Sequence, residues 1–383
     1  MRIFLSAGEP SGDLHGSNLA RALRRARPDV ECVGFGGERM EAAGCRLIYP
    51  LCRLAVVGFA QVFANAAAFV RLLRQADAFF RDQKPDAVVL IDYPGFHWWL
   101  ARRAKARGIP VFYFVPPQLW AWAEWRVEKM RRFVDHVLCS LRFEQPWYQA
   151  RGIAAHYFGH PYFDELSQQQ LDAAFVEEQQ RRPGTIIGLL PGSRNQALEQ
   201  NLTTLLGAAR YVHAARPDTR FLVACYREGH KSQVEEQFHD LGLPIEAHAG
   251  RTAEIIHLAK MTAAVSGSVG LELLYRGKPS VVVWRAHPVP LWLSQFLRKC
   301  RYISLVNLLA DRELFPEFLT HRDEAEAVAE RLLRWLNDEA AYQKVCAGLA
   351  TLKHEVAEPG ACAQAAEYIL NALANGQGES LAA

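Results

Sequence analysis

The chain has 383 residues, 50% of them hydrophobic, and 44 Lys+Arg against 41 Asp+Glu leave a net charge of +3. That length suits two domains, each with its own apolar core, and the composition excludes both intrinsic disorder and a small stapled scaffold. A charge this close to zero does not support sequence-independent nucleic-acid binding, which needs a field of Lys and Arg facing phosphates, and leaves only a local basic face open.

The eight cysteines are scattered, without a CxxC pair or a Cys/His spacing suited to zinc, and read as reduced thiols. Glu9 and Asp13 arrive before a signal-peptide apolar region could form, so no export segment is expected. The uncharged run 54–70 is too short and too polar to span a bilayer.

In chain order, a first strand is expected over 3–7, followed by the loop Gly8-Glu9-Pro10-Ser11-Gly12-Asp13 and a helix. Two carboxylates on one tight loop suit hydroxyl or proton handling, although Asp13 equally suits a helix cap. A strand over 31–34 precedes the run 56–80, where Val57, Phe59, Val62, Phe63 and further bulky residues alternate with arginines. That mixture fits either core or an acyl-chain or membrane surface. The strand 87–91 ends in Asp92, a lone acid beside Phe96, Trp98 and Trp99. Partial desolvation by those rings would raise its pKa towards general-base duty, and a turn Asp before Pro94 is the alternative.

Strands follow over 111–115, 136–139 and 155–157. The Gln- and Glu-rich stretch 166–184 then ends in Arg-Arg-Pro-Gly, which stops a helix and marks a domain boundary. In the second half, the strand 186–190 runs into Pro191-Gly192-Ser193-Arg194 and a helix. Amides at a helix start, a hydroxyl and an Arg suit a diphosphate, and the missing Walker lysine excludes an ATPase loop; a plain N-cap Ser with a surface Arg is the alternative. Strands over 221–224, 245–247 and 263–266 lead to Ser266-Gly267-Ser268-Val269-Gly270-Leu271-Glu272, where a small-residue loop admits phosphate oxygens. Glu272 is placed to take ribose hydroxyls, or else is a solvated first-turn acid. After a strand over 280–283 comes a second basic-aromatic segment, 290–301, and beyond Asp323 the pattern is helical to the end. The fold class is therefore α/β: two doubly wound domains whose strand-end loops face a cleft, with a helical tail. The boundaries are 1–175, 176–322 and 323–383.

Nine runs in order resemble the lipid-A-disaccharide synthase family, inverting glycosyltransferases of GT-B architecture with two Rossmann-like domains. They are SAGEPSGDLHG (6–16), GFGGERMEAAGC (34–45), LAVVGFAQV (54–62), KPDAVVLIDYPGF (84–96), YFVPPQLWAW (113–122), GHPYFDE (159–165), LLPGSR (189–194), AVSGSVGLEL (264–273) and YISLVNLLADREL (302–314). The resemblance implies transfer of 2,3-diacylglucosamine from its UDP conjugate to the 6-hydroxyl of 2,3-diacylglucosamine 1-phosphate, giving a β-1,6 disaccharide phosphate and UDP. It implies Asp92 as general base and Glu9 as a second essential acid. Donor contacts fall on Gly192, Ser193, Arg194, Ser266, Gly267, Ser268, Glu272 near the ribose and Asn307 near the uridine. Acceptor and lipid contacts fall on Ser11, Asp13, Val57, Phe59, Val62 and Phe63. It further implies no metal or redox cofactor, no nucleic acid, a cytoplasmic protein held peripherally on the inner membrane, and a homodimer exchanging C-terminal segments. The chain departs from the family pattern at His97, Ala197, Val306 and Asp311. Two other readings are a different sugar-nucleotide enzyme, epimerase-like and without acyl substrates, and a catalytically silent lipid-binding scaffold.

Overall fold

A computed structural model describes residues 1–55, 66–288, 292 and 298–381. The chain divides into two compact units, Met1–Ser167 with Glu358–Ala383, and Gln168–Ala357. The break after Ser167 falls inside the stretch expected as the boundary, ahead of residue 175. The tail belongs to neither a third unit nor one unit alone. Its helices Ala325–Asn337 and Glu339–Val356 lie in unit 2, and Ala361–Leu381 starts in the segment assigned to unit 1.

Unit 1 is built on a parallel sheet of β1 (Arg2–Ala7), β2 (Glu31–Phe35), β3 (Arg46–Tyr49), β4 (Ala87–Ile91), β5 (Val111–Phe114), β6 (His136–Cys139) and β7 (Ala155–Tyr157), in the order β3-β2-β1-β4-β5-β6-β7. β1 and β4 are buried nearly throughout, as continuous apolar strands covered on both faces must be. The helix Ala66–Gln83 puts Leu72, Leu73, Ala76 and Phe80 into the core on one face, and Phe69 and Phe79 pack against it. On the other face, Ala365, Ala366 and Ile369 of the last helix join Leu19 and Leu23 of the helix Pro10–Ala26.

Unit 2 repeats the plan with β8 (Thr185–Leu190), β9 (Thr219–Cys225), β10 (Ile245–Ala249), β11 (Met261–Val265), β12 (Ser280–Arg285) and β13 (Glu317–Thr320), again parallel, in the order β10-β9-β8-β11-β12-β13. Its core takes Leu198, Leu202 and Leu205 from the helix Asn195–Ala215, and Val328, Leu332 and Trp335 from the first tail helix. β3 and β13 were not expected from sequence. Both are four-residue edge strands, exposed or half-buried along their length, and so lack the apolar run that marks a central strand.

Candidate functional site

The strand order reverses between β1 and β4 in unit 1, and between β8 and β11 in unit 2. Loops leaving such switch points are where open α/β sheets bind ligands. Glu9 follows β1 and Asp92 follows β4, and the register pairs Ala7 with Ile91, so the two acids sit on adjacent loops. Gly8 is required there because a Cβ would overlap the Tyr93 ring. Burial pushes the Tyr93 phenol up, helped by the nearby charge of Glu9.

Asp92 and Tyr93 both hold left-handed backbone, with φ of 51° and 49°. For residues other than glycine this costs about 1–3 kcal/mol each and persists only where surrounding bonds enforce it. The Asp92 carbonyl accepts from the Tyr113 hydroxyl at 2.7 Å and from His97 Nδ1 at 2.6 Å. A carbonyl can only accept, so His97 carries its proton on Nδ1 and Nε2 accepts from Ser6 Oγ at 2.9 Å. Burial holds His97 neutral, its pKa pushed down to about 3. Ser6, His97 and Tyr113 thus form the scaffold that aims Asp92. Ser6 and Tyr113 were not singled out by sequence, because their partners lie on other elements, and His97 stood out only as a departure from the family pattern.

Asp13 does not cap its own helix. Its carboxylate accepts from Gly37 N (2.8 Å), Arg39 N (3.0 Å) and Met40 N (3.1 Å), closing the start of the helix Glu38–Ala42. Three backbone amides thus use the buried group. Ser11 is exposed on the first turn of the helix Pro10–Ala26. Val57, Phe59, Val62 and Phe63 lie outside the described residues, as does most of 290–301. Trp292 is exposed.

In unit 2, Gly192 turns the chain after β8 with φ 99°, and Ser193 and Arg194 are exposed at the start of the helix Asn195–Ala215. No side chain caps that helix, so its first amides are available to an anion. Asn195 Oδ1 accepts from Arg227 Nη2 (2.5 Å) and His230 Nε2 (2.8 Å), which brings a second exposed guanidinium beside the loop. Sequence reasoning missed Arg227; its place after β9 was the available signal.

After β11, Gly267 and Ser268 are exposed, and Ser266 Oγ donates to Ile303 O at 2.8 Å. Glu272 is buried in an ion pair with Arg276 at 3.1 Å. Asn307, expected at the uridine, is fully buried. Its amide donates to Phe315 O and Glu317 Oε1, both at 2.7 Å, and accepts from Leu314 N (2.8 Å) and Phe315 N (2.9 Å). Every hydrogen-bonding site of that amide is used inside the chain. Asn307 therefore holds the segment that anchors Ser266.

A cavity lined by Asp86, Lys105, Pro110, Asp135 and Leu373 opens at the amino edge of unit 1's sheet, opposite these loops, and holds none of the candidate residues. Among the described residues, no helix is long and apolar enough to cross a membrane.

A sequence model described as lipid-A-disaccharide synthetase matches residues 3–369. The lipid-A-disaccharide synthase of Myxococcus xanthus is 32% identical over 377 residues, covering 98% of each chain, and that of Geobacter metallireducens 30% over 376, covering 97% of each. Among solved structures, UDP-N-acetylglucosamine 2-epimerase from Neisseria meningitidis bound to UDP-GlcNAc aligns with a TM-score of 0.64 at 11% identity, over 98% of this chain and 100% of that one. Acinetobacter baumannii MurG aligns with a TM-score of 0.61 at 12% identity, over 97% and 99%. At such identities the structural likeness speaks for the fold, the GT-B class.

Proposed function

The chain belongs to the lipid-A-disaccharide synthetase family and is a glycosyltransferase of that activity, and from that premise we propose how it acts and on what. The donor is UDP-2,3-diacylglucosamine and the acceptor 2,3-diacylglucosamine 1-phosphate. Asp92 takes the proton from the acceptor 6-hydroxyl as that oxygen attacks the anomeric carbon from the face opposite UDP. The C–O bond to UDP breaks, its electron pair leaves on the diphosphate, and the β-1,6 bond forms. General-base assistance of this kind is worth about 10²–10⁴ in rate.

The observation that carries this reading is the strained Asp92–Tyr93 turn, clamped by His97 and Tyr113 at the switch point of unit 1. Two successive left-handed residues, the second a bulky tyrosine, are held only where surrounding bonds enforce them, as the Ser6–His97–Tyr113 network does here. Glu9, on the adjacent loop, is the second acid. Ser11 is exposed beside it, on the acceptor side. Arg194 and the uncapped amides of the helix Asn195–Ala215 stabilise charge on the departing diphosphate, with Gly192, Ser193, Ser266, Gly267 and Ser268 shaping its seat and Glu272 serving the ribose. The reaction uses no metal and no redox cofactor.

The acyl chains of both substrates place the enzyme peripherally on the cytoplasmic face of the inner membrane. A homodimer exchanging the helix Ala361–Leu381 keeps the same hydrogen bonds that Asp164 makes to Ala361 N (3.2 Å) and Cys362 N (2.8 Å), supplied by a second copy. Incubation of the purified protein with both diacyl substrates should yield the disaccharide phosphate and UDP by mass spectrometry. No product from well-folded protein contradicts the reading.

A further inference from the structure

The loop that leaves β5 carries a cluster not used by the chemistry above. Trp122 and Trp125 are 47% and 65% exposed, and their rings meet edge to face at 6.4 Å. The Arg126 guanidinium lies over both, 4.8 Å from the Trp122 ring and 5.8 Å from that of Trp125. Stacking fixes the plane of a guanidinium and keeps its in-plane N–H donors for an anion. The neighbouring acid, Glu124, is held by Arg151 at 2.6 Å and 3.2 Å, and the Arg126 side chain has no carboxylate partner among the described residues.

The base of the loop is rigid. Val115 sits at φ 52°, a conformation that a β-branched residue adopts only under constraint. Tyr148 Oη donates to Pro117 O at 3.1 Å, and Trp120 Nε1 donates to the buried Glu144 at 3.1 Å. Glu144 is fixed in turn by the amides of Ser140 (3.1 Å) and Leu141 (3.0 Å). The register pairs Ile91 with Phe114, so this loop leaves the same edge of the sheet as Asp92, one strand over.

We propose that Arg126, stacked on Trp122 and Trp125, is a subsite for the phosphomonoester of a sugar phosphate, here the 1-phosphate of the acceptor. A phosphate presents oxygens to the planar donors, and the C–H face of a sugar ring suits an exposed indole; the cluster offers both. The assignment rests on the acceptor proposed above.

The test is kinetics in detergent micelles with two acceptors, diacylglucosamine 1-phosphate and the same molecule without phosphate. Arg126→Gln should raise KM for the phosphorylated acceptor about 10- to 100-fold, the loss expected for a charge-assisted hydrogen bond. KM for the donor should hold, and the ratio between the two acceptors should collapse by the same factor. Arg126→Lys, which keeps the charge but not the plane, should recover only part. An unchanged acceptor KM, or an equal loss with both acceptors, overturns the subsite. So does loss of binding to phosphatidylglycerol vesicles, relative to phosphatidylcholine, with acceptor KM intact, because the cluster would then read a lipid headgroup. If the parent protein turns over neither acceptor, the proposed reaction is what fails. The subsite is then read by tryptophan fluorescence: glucosamine 1-phosphate, and not glucosamine, should perturb the parent but not Arg126→Gln, and an equal response in both overturns it.

Discussion

In unit 1 the left-handed residues of the loops after β4 and β5 are Asp92, Tyr93 and Val115, of which Tyr93 and Val115 resist that conformation, whereas in unit 2 the loop after β8 turns on Gly192, which accepts it freely. The two switch points share a topology and differ in what they store. Unit 1 holds an acid at one fixed place by hydrogen bonds from buried side chains, and such bonds can be broken one at a time. Unit 2 offers exposed amides, hydroxyls and guanidinium groups around a relaxed turn, which suits an anion with many oxygens. Positioning a proton acceptor demands rigidity, while neutralising a leaving group demands charge and open donors.

That contrast can be broken by acid. His15, His97 and His160 of unit 1 are buried, and loss of hydration pushes their pKa values down to about 4, 3 and 3. In the unfolded chain each protonates near 6.5. Below that pH the unfolded state binds more protons, so the stability they allow is full above about pH 6.5 and is lost as pH falls towards 3 to 4. Each group then costs about 1.4 kcal/mol per pH unit. Hydrogen exchange, corrected for intrinsic rates, should show unit 1 losing protection before unit 2 between pH 6.5 and 5. Simultaneous loss in both, or earlier loss in unit 2, would be the contrary result.

The next effect belongs to unit 2. Asn307→Ala leaves two amides and a carbonyl without their partner, takes one hydrogen bond from the Glu317 carboxylate, and should cost about 3 kcal/mol in urea unfolding. A ligand contact would instead weaken UDP binding and leave stability unchanged. The smallest effect sharpens the account of the scaffold. Ser6→Ala removes the far partner of His97 and should cost about 1 kcal/mol, with a several-fold fall in kcat and unchanged UDP affinity. Unaltered kcat would mean that His97 holds Asp92 without help from Ser6.

Much of the fold was legible because central strands in parallel sheets are long apolar runs, as Ala87–Ile91 and Thr185–Leu190 are. Edge strands such as Arg46–Tyr49 carry no such run and were missed. Loops at strand ends could be found by their small and charged residues, which is why Glu9, Asp92 and Arg194 stood out. What a loop residue bonds to could not be read. The amides that use Asp13 lie more than twenty residues away in sequence, and those that use Asn307 belong to an irregular segment without periodicity. Strain is equally hidden, since nothing in Asp92-Tyr93 as a dipeptide predicts positive φ. The run 56–80 was open between core and lipid surface; Leu72, Leu73 and Phe80 settle its second part as core.

The division of labour between the units is tested most directly by measuring turnover and calorimetric UDP affinity side by side in two variants. Asp92→Asn should lose about 10²–10⁴ in kcat and bind UDP like the parent, whereas Arg194→Ala should weaken UDP binding about 10- to 100-fold. An Asp92→Asn protein with nearly full turnover, or an Arg194→Ala protein with unchanged UDP affinity, would contradict the account.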